Sequence, residues 1–364
     1  METRVTTALK ASDYRQAAKL LKQWQAQEPQ NPLLRLYAGQ LQEQTNRLDV
    51  AETHYLKLLK QNPGSKIMSQ ARAGIQRIRE KRQAKKADTL NQAKAIEGGS
   101  QVAILAIAAL PQTQTEPAQQ QAIQGVANLF NLDAYTARLK IPSAGFRIHR
   151  IGPWGEISYY QKALQTLNIS TYTAKINNIK ALQVFQICYF EALSPQLTVI
   201  CKSVGGQLGK ISFDSTEVSQ QVSGQLPIFE QVVDIGNWGK TIHKEKVQDY
   251  TQVMDLHLSG RKIVLRLCDR LYQYQKGISL TANRKELNSR IQWDQLLTHL
   301  NQTTSAPHHK EFTRFGKSAL EFINLLPPIH PNLDIDRRAP SHWDQAFHLY
   351  SSLCYLNPIG NFCD

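Results

Sequence analysis

The chain has 364 residues, with 43 Lys and Arg against 29 Asp and Glu, a formal charge of +14, and 41% hydrophobic residues. This is the composition of a soluble globular protein with room for two or three domains, and its charge favours acidic partners: nucleic acid, anionic lipid or acidic protein. Five sparse cysteines (Cys188, Cys201, Cys268, Cys354 and Cys363) exclude a disulfide framework and read as reduced thiols of a cytoplasm, and the polar N-terminus has no apolar signal region.

The first element is a short helix over 4–11. A doubled spacing follows. Ala17, Leu21, Trp24 and Pro29 recur downstream, in the same order and at the same intervals, as Ala51, Tyr55, Leu58 and Pro63. Small residues let two helices approach, large ones fill the groove between them, and Pro stops the second helix. Leu34, Tyr37, Ala38 and Leu41 supply the helix that precedes the second copy. The spacing resembles the tetratricopeptide repeat, a helix–turn–helix unit whose period matches the offset between the two copies. Nine residues separate Leu41 from Ala51, one more than the family usually has, which predicts a loosened turn. Met68, Ala71, Ile75 and Ile78 then give a further helix that caps the stack. The resemblance implies a protein-binding groove, with Arg35, Gln42 and Glu43 facing it and Gln76 and Arg77 continuing it.

Residues 71–94 hold eight basic and two acidic residues. Arg72, Arg79, Arg82 and Lys86 recur at helical spacing as a stripe for phosphate, lipid headgroups or an acidic protein; a solvated helix face is the plainer account. No aromatic interleaves them, which weighs against a platform for single-stranded nucleic acid. "EGGS" at 97–100 marks a joint. The apolar run 102–110 is too short to span a membrane, and 100–142 reads as helical packing against the next module.

Ile151-Gly152-Pro153-Trp154-Gly155 and Ile235-Gly236-Asn237-Trp238-Gly239 spell one pattern twice. Downstream, Gln183-Val184 aligns with Gln252-Val253, Cys201 with Cys268 and Ile211-Ser212 with Ile278-Ser279. These agreements predict a duplicated α/β module, with Gly152 and Gly236 leaving strands through backbone angles closed to other residues and both indoles anchored in the core. "LTVIC" and "KIVLRLC" read as strands, and the glycines of "VGGQLGKIS" as a hairpin turn, since their spacing is wrong for a phosphate-binding loop. Phe315, Ala319, Phe322 and Leu326 define one C-terminal helix, and Trp343, Phe347, Tyr350 and Cys354 a second.

The expected fold is therefore α+β: tetratricopeptide-like helical hairpins with a basic capping helix (1–95), a helical connector (96–142), two α/β modules (143–225 and 226–300), and C-terminal helices packed on them (301–364). No catalytic, cofactor or metal motif stands out, so a non-enzymatic adaptor is expected. It would hold a protein partner in the repeat groove; a regulator binding nucleic acid or a nucleotide through 71–94 is the alternative. "YTARLKIPSAGFRIHRIGPWGE", "SFDSTEVSQ" and "FGKSALEFINLLPPI" make the whole chain resemble tetratricopeptide-repeat proteins of cyanobacteria. That resemblance implies a cytoplasmic setting, at most peripheral to an anionic membrane surface, and a use in assembling or regulating a photosynthetic membrane complex.

Overall fold

A computed structural model describes residues 1–235, 241–280, 288–337 and 341–358, with the backbone alone at 231–235 and 241–245. The chain divides into two compact units, Met1–Gln92 and Ala93–Asp364.

The first unit is all helix: α1 (Glu2–Lys10), α2 (Tyr14–Gln27), α3 (Pro32–Gln44), α4 (Leu48–Lys60) and α5 (Ser65–Ala95), whose last turn crosses into the second unit. Side chains of Asp13 and Asn31 cap α2 and α3 by accepting from Gln16 and Leu33 N–H groups, as good N-cap residues do. Val5, Ala17, Leu21, Trp24 and Leu41 form one core and Leu36, Ala51, Tyr55, Leu58, Ala71, Ile75 and Ile78 a second, so equivalent repeat positions build equivalent cores. The α3–α4 turn is not loosened. It spans only 45–47, and the small residue at the crossing is Gly39, not Ala38.

Tyr55 is wedged between two glycines. A Cβ on Gly39 would lie 2.7 Å from its ring, and one on Gly74 would lie 2.4 Å away. Any larger side chain at 74 overpacks this seam, which costs about 1–3 kcal/mol. Gly74→Val should therefore lower the denaturant midpoint of this unit, while Gln83→Val, exposed further along α5, should leave it near wild type. Equal midpoints for the two variants would show that the seam is loose.

The second unit opens with β1 (Val102–Ala108), followed by α6 (Glu116–Phe130) and α7 (Ala134–Lys140). The expected all-helical connector is thus corrected: β1 is the central strand of a three-stranded antiparallel sheet, between β2 (Phe146–Pro153) and β3 (Thr171–Lys175). Ala103, Leu105 and Ile107 pack on one side with α6, α7 and α8 (Trp154–Gln165), and Ile104 and Ala106 on the other. A strand buried on both faces is apolar throughout, so its sequence loses the alternation that marks a strand.

After α9 (Ile176–Lys180), a seven-stranded sheet takes β4 (Gln183–Ala192), β5 (Leu197–Lys202), β6 (Leu208–Phe213), β7 (Gln220–Ile235), β8 (Thr241–Leu258), β9 (Ile263–Cys268) and β10 (His308–His309). Its order is β10-β7-β8-β9-β4-β5-β6, with β4 parallel to β9 and β10 parallel to β7. One face carries α10 (Ser289–Thr303) through Trp293, Leu296 and Leu300. The other face and the small sheet share one core with α11 (Phe312–Ile323) and α12 (His342–Leu356), which places the C-terminal helices as the sequence indicates.

The expected doubling does not survive as topology. Hairpins β4–β5 and β8–β9 do correspond, with Cys201 and Cys268 on their second strands. Upstream, however, the first pattern runs from β2 into helix α8, whereas the strand that follows β7 in the chain is β8, its directly paired antiparallel neighbour. Nothing in 226–300 answers to β2, α8 and β3, and no strand around Ile278-Ser279 answers to β6 among the described residues. Similar local residues were used in different pairings because pairing is set by long-range contact.

Gly152 is also corrected. It is a regular strand residue opposite Ala103, and a Cβ there would meet nothing closer than 3.9 Å. The demanding glycine is Gly155, where a Cβ would lie 2.1 Å from the Ala93 carbonyl oxygen. Trp154 packs partly against the α6–α8 core, with the Lys175 ammonium 5.2 Å from its ring centre. Gly236, Asn237, Trp238 and Gly239 lie outside the described residues, as does Cys363.

Candidate functional site

Two places concentrate chemistry: a groove in the helical unit and a buried polar cluster in the second unit.

The groove runs between α4 and α5. Leu56, Leu59, Ala73 and Ile75 supply an apolar floor, and Arg72, Gln76 and Arg79 line it. Leu56 is 48% exposed. Arg72 and Arg79 stand two turns apart on α5, about 10 Å along the axis at ~1.5 Å per residue. Counting back one repeat, Leu56 and Leu59 correspond to Lys22 and Gln25, and Arg72 and Arg79 to Ala38 and Thr45. Lys22 and Gln25 are exposed polar residues of ordinary kind. The second copy has thus exchanged a polar floor for an apolar one and neutral walls for guanidinium groups. A solvated surface gains nothing from that exchange; an apolar segment bearing carboxylates does.

The other candidate residues have different positions. Glu43 does not face a groove: it is 5% exposed. Its carboxylate accepts two bonds of 2.9 Å from Arg77 and one from the Tyr55 hydroxyl, with the Lys81 ammonium 3.6 Å away. Burial pushes its pKa up, but the bonds from Arg77 and Tyr55 outweigh this and hold it below the usual carboxylate value. Arg77 sits one full repeat after Glu43, at the equivalent position. The pair is therefore a rivet between successive repeats, and Arg77 is committed to it. Arg82 is similarly engaged by Glu52 at 2.7 Å and Asp49 at 2.6 Å. Arg35 lies near His54, whose pKa is lowered by burial and then by the charges of Arg35 and Lys57. Gln42 is half-buried on α3, and Lys86 lies two turns beyond Arg79.

The buried cluster was not anticipated. Asp255 and Arg266 are register partners on β8 and β9, and both are fully buried. Arg266 donates from Nε to Oδ1 at 2.8 Å and from Nη2 to Oδ2 at 2.6 Å, gives a further bond to the Pro331 carbonyl, and lies over the Phe347 ring. Ser351 of α12 donates from Oγ to Asp255 and lies 2.9 Å from His257 Nε2. His348 is buried beside them. The sequence signal is polar residues within short, otherwise apolar stretches: Asp255 and His257 at alternate positions of "VMDLHL", and Arg266 within "IVLRLC".

A Ser, a His and an Asp in contact suggest nucleophilic catalysis, so the geometry matters. The Ser351 proton goes to Asp255, which makes His257 Nε2 the donor toward Ser351. The imidazole therefore cannot act as base on that hydroxyl, and no carboxylate orients it through Nδ1, which has no partner. Nucleophile, base and orienting acid are in the wrong order. Burial also drives the His257 pKa down to about 4. The cluster ties α12 to the sheet.

Among the described residues the strand thiols give no reactive site either: burial pushes Cys201 up to about 11 and Cys268 up to about 12. Among the described residues no three His, Cys, Asp or Glu side chains are grouped to hold a metal ion, and no helix is long and apolar enough to cross a membrane. His308 and His309 pair instead with Ser223 and Gln220.

Residues 8–83 match the tetratricopeptide repeat family. No curated protein and no solved structure matches the chain. The repeat is thus established over residues 8–83, and the likeness of the whole chain to cyanobacterial proteins has no named relative behind it. Repeats of this kind make protein partners the general expectation.

Proposed function

We propose that this protein is a non-enzymatic adaptor that takes a protein segment into the α4–α5 groove. The carrying observation is the replacement of Lys22, Gln25, Ala38 and Thr45 in one repeat by Leu56, Leu59, Arg72 and Arg79 in the next. An amphipathic helix fits best, its apolar side chains on Leu56 and Leu59 and its carboxylates toward Arg72 and Arg79. The second unit offers a second surface, for another protein or for docking onto an assembly. A cytoplasmic or membrane-peripheral setting, and service to a membrane complex of a photosynthetic cell, belong to the same proposal.

The nucleic-acid reading stands second. Of the cations in 71–94, Arg77, Lys81 and Arg82 are already held by Glu43, Asp49 and Glu52, which reduces the charge left for phosphate.

Affinity purification from the native cell with mild crosslinking tests the adaptor. The full chain should recover a protein partner, and the variant Leu56→Lys, Arg72→Glu, Arg79→Glu should recover at least tenfold less. Failure of the wild type to recover any partner sinks the adaptor. Equal recovery by the variant sinks the groove and leaves the adaptor standing.

A further inference from the structure

Helix α7 carries a patch that the repeat does not use. Its N-terminus is fixed by Asp133, which accepts from the Thr136 N–H and hydroxyl, and Ala137 anchors it to the α6–α8 core. The opposite side points outward. Tyr135 is 73% exposed and Leu139 56% exposed, one helical turn apart. Arg138 lies between them, Lys140 follows, and both are exposed. At the end of the helix Arg147 donates to the Leu139 carbonyl, bringing a third cation alongside. None of Arg138, Lys140 and Arg147 is in an ion pair among the described residues. His149, tilted against Phe130 with ring centres 4.2 Å apart, has its pKa lowered to about 4, first by burial and then by the charges of Arg150, Lys140 and Arg147.

We infer that α7 is a contact for an anionic membrane surface, with Tyr135 and Leu139 entering the headgroup region and Arg138, Lys140 and Arg147 meeting lipid phosphates. Charge complementarity selects the occupant. A phenol ring with an apolar body and a polar tip suits the interface, and cations at its edge meet the phosphate level. Two weak signals, a small apolar anchor and a basic cluster, are the combination that gives reversible attachment. An acidic protein would satisfy the cations as well. It would need a recess to seat Tyr135 and Leu139, whereas a fluid bilayer accommodates side chains that project from a convex helix.

The test is co-sedimentation of the full chain with vesicles of two parts phosphatidylcholine to one part phosphatidylglycerol, and with pure phosphatidylcholine. The wild type should sediment with the anionic vesicles only, and less as salt rises. Tyr135→Ser with Leu139→Ser, and separately Arg138→Glu with Lys140→Glu, should each reduce the bound fraction at least fivefold. Lys60→Glu with Lys85→Glu changes the charge equally elsewhere and should bind almost as well as wild type. Circular dichroism confirms that all variants fold. Absence of anionic-vesicle binding overturns the inference. So does full binding by the Tyr135/Leu139 variant, equal loss in the Lys60/Lys85 control, or equal retention of the wild type on poly-glutamate beads with loss in the same α7 variants.

Discussion

Replacing Arg266 by methionine is expected to destabilise the unit Ala93–Asp364 by about 3–5 kcal/mol, because it strands the Asp255 carboxylate in a dry interior. That loss is a large fraction of the net stability of a typical domain, about 5–15 kcal/mol. Both side chains are fully buried, and every bond that Arg266 makes is within the protein. The cost comes from the orphaned charge more than from the lost pair. Arg266→Met combined with Asp255→Leu should therefore recover most of the stability, even though it removes the ion pair entirely. Thermal or denaturant unfolding of the four members of the cycle measures this. A double variant as damaged as Arg266→Met would show that the pair itself is needed.

Acid should unfold the same unit well before it protonates most carboxylates. His257 and His348 are buried, with pKa values driven down to about 4 and about 3 by burial; for His257 the Asp255 charge opposes the shift, and for His348 Arg266 adds to it. In the unfolded chain each imidazole takes up a proton near pH 6.5, but in the folded protein neither does until the pH is two or more units lower. The unfolded state thus binds more protons across that window, so stability is complete above about pH 6.5 and falls as the pH drops toward 4. At roughly 1.4 kcal/mol per unit, His257 alone contributes about 3 kcal/mol to the loss. Melting temperature measured from pH 7.5 to 4.5 should decline steeply below about pH 6. His348→Leu, which replaces a buried imidazole having no partner at Nδ1, should flatten that decline. A wild-type profile that is level to pH 4.5 would refute the account.

The helical unit was legible from sequence because its contacts are local and periodic. Ala51, Tyr55 and Leu58 share one buried face of α4, and the repeat offset restates the arrangement. The C-terminal helices were legible for a similar reason: an apolar stripe through Phe315 and Ala319 has only one face to bury, although Ile323 is the next residue buried on it, Phe322 is only partly covered and Leu326 lies beyond the helix. Site assignment was less secure even here. Glu43 and Arg77 read as groove residues because the repeat pattern places them there, and only the packing of α3 against α5 turned them on each other.

The residues alone determined that 8–83 form a repeat, that two helices lie in the C-terminal segment, that Cys201 and Cys268 sit in apolar strands, and that the net charge is basic. Tertiary structure decided the rest. It made 102–108 the middle strand of a sheet, dissolved the apparent duplication into two different strand pairings, and put Asp255, Arg266, His257 and Ser351 in contact although Ser351 lies 96 residues from Asp255. It also left Leu56, Tyr135 and Leu139 in solvent. The physical reason is common to all of these. Helix periodicity is written within one element, but which strands pair, which charges meet and which apolar side chains stay uncovered depend on partners far away in the chain.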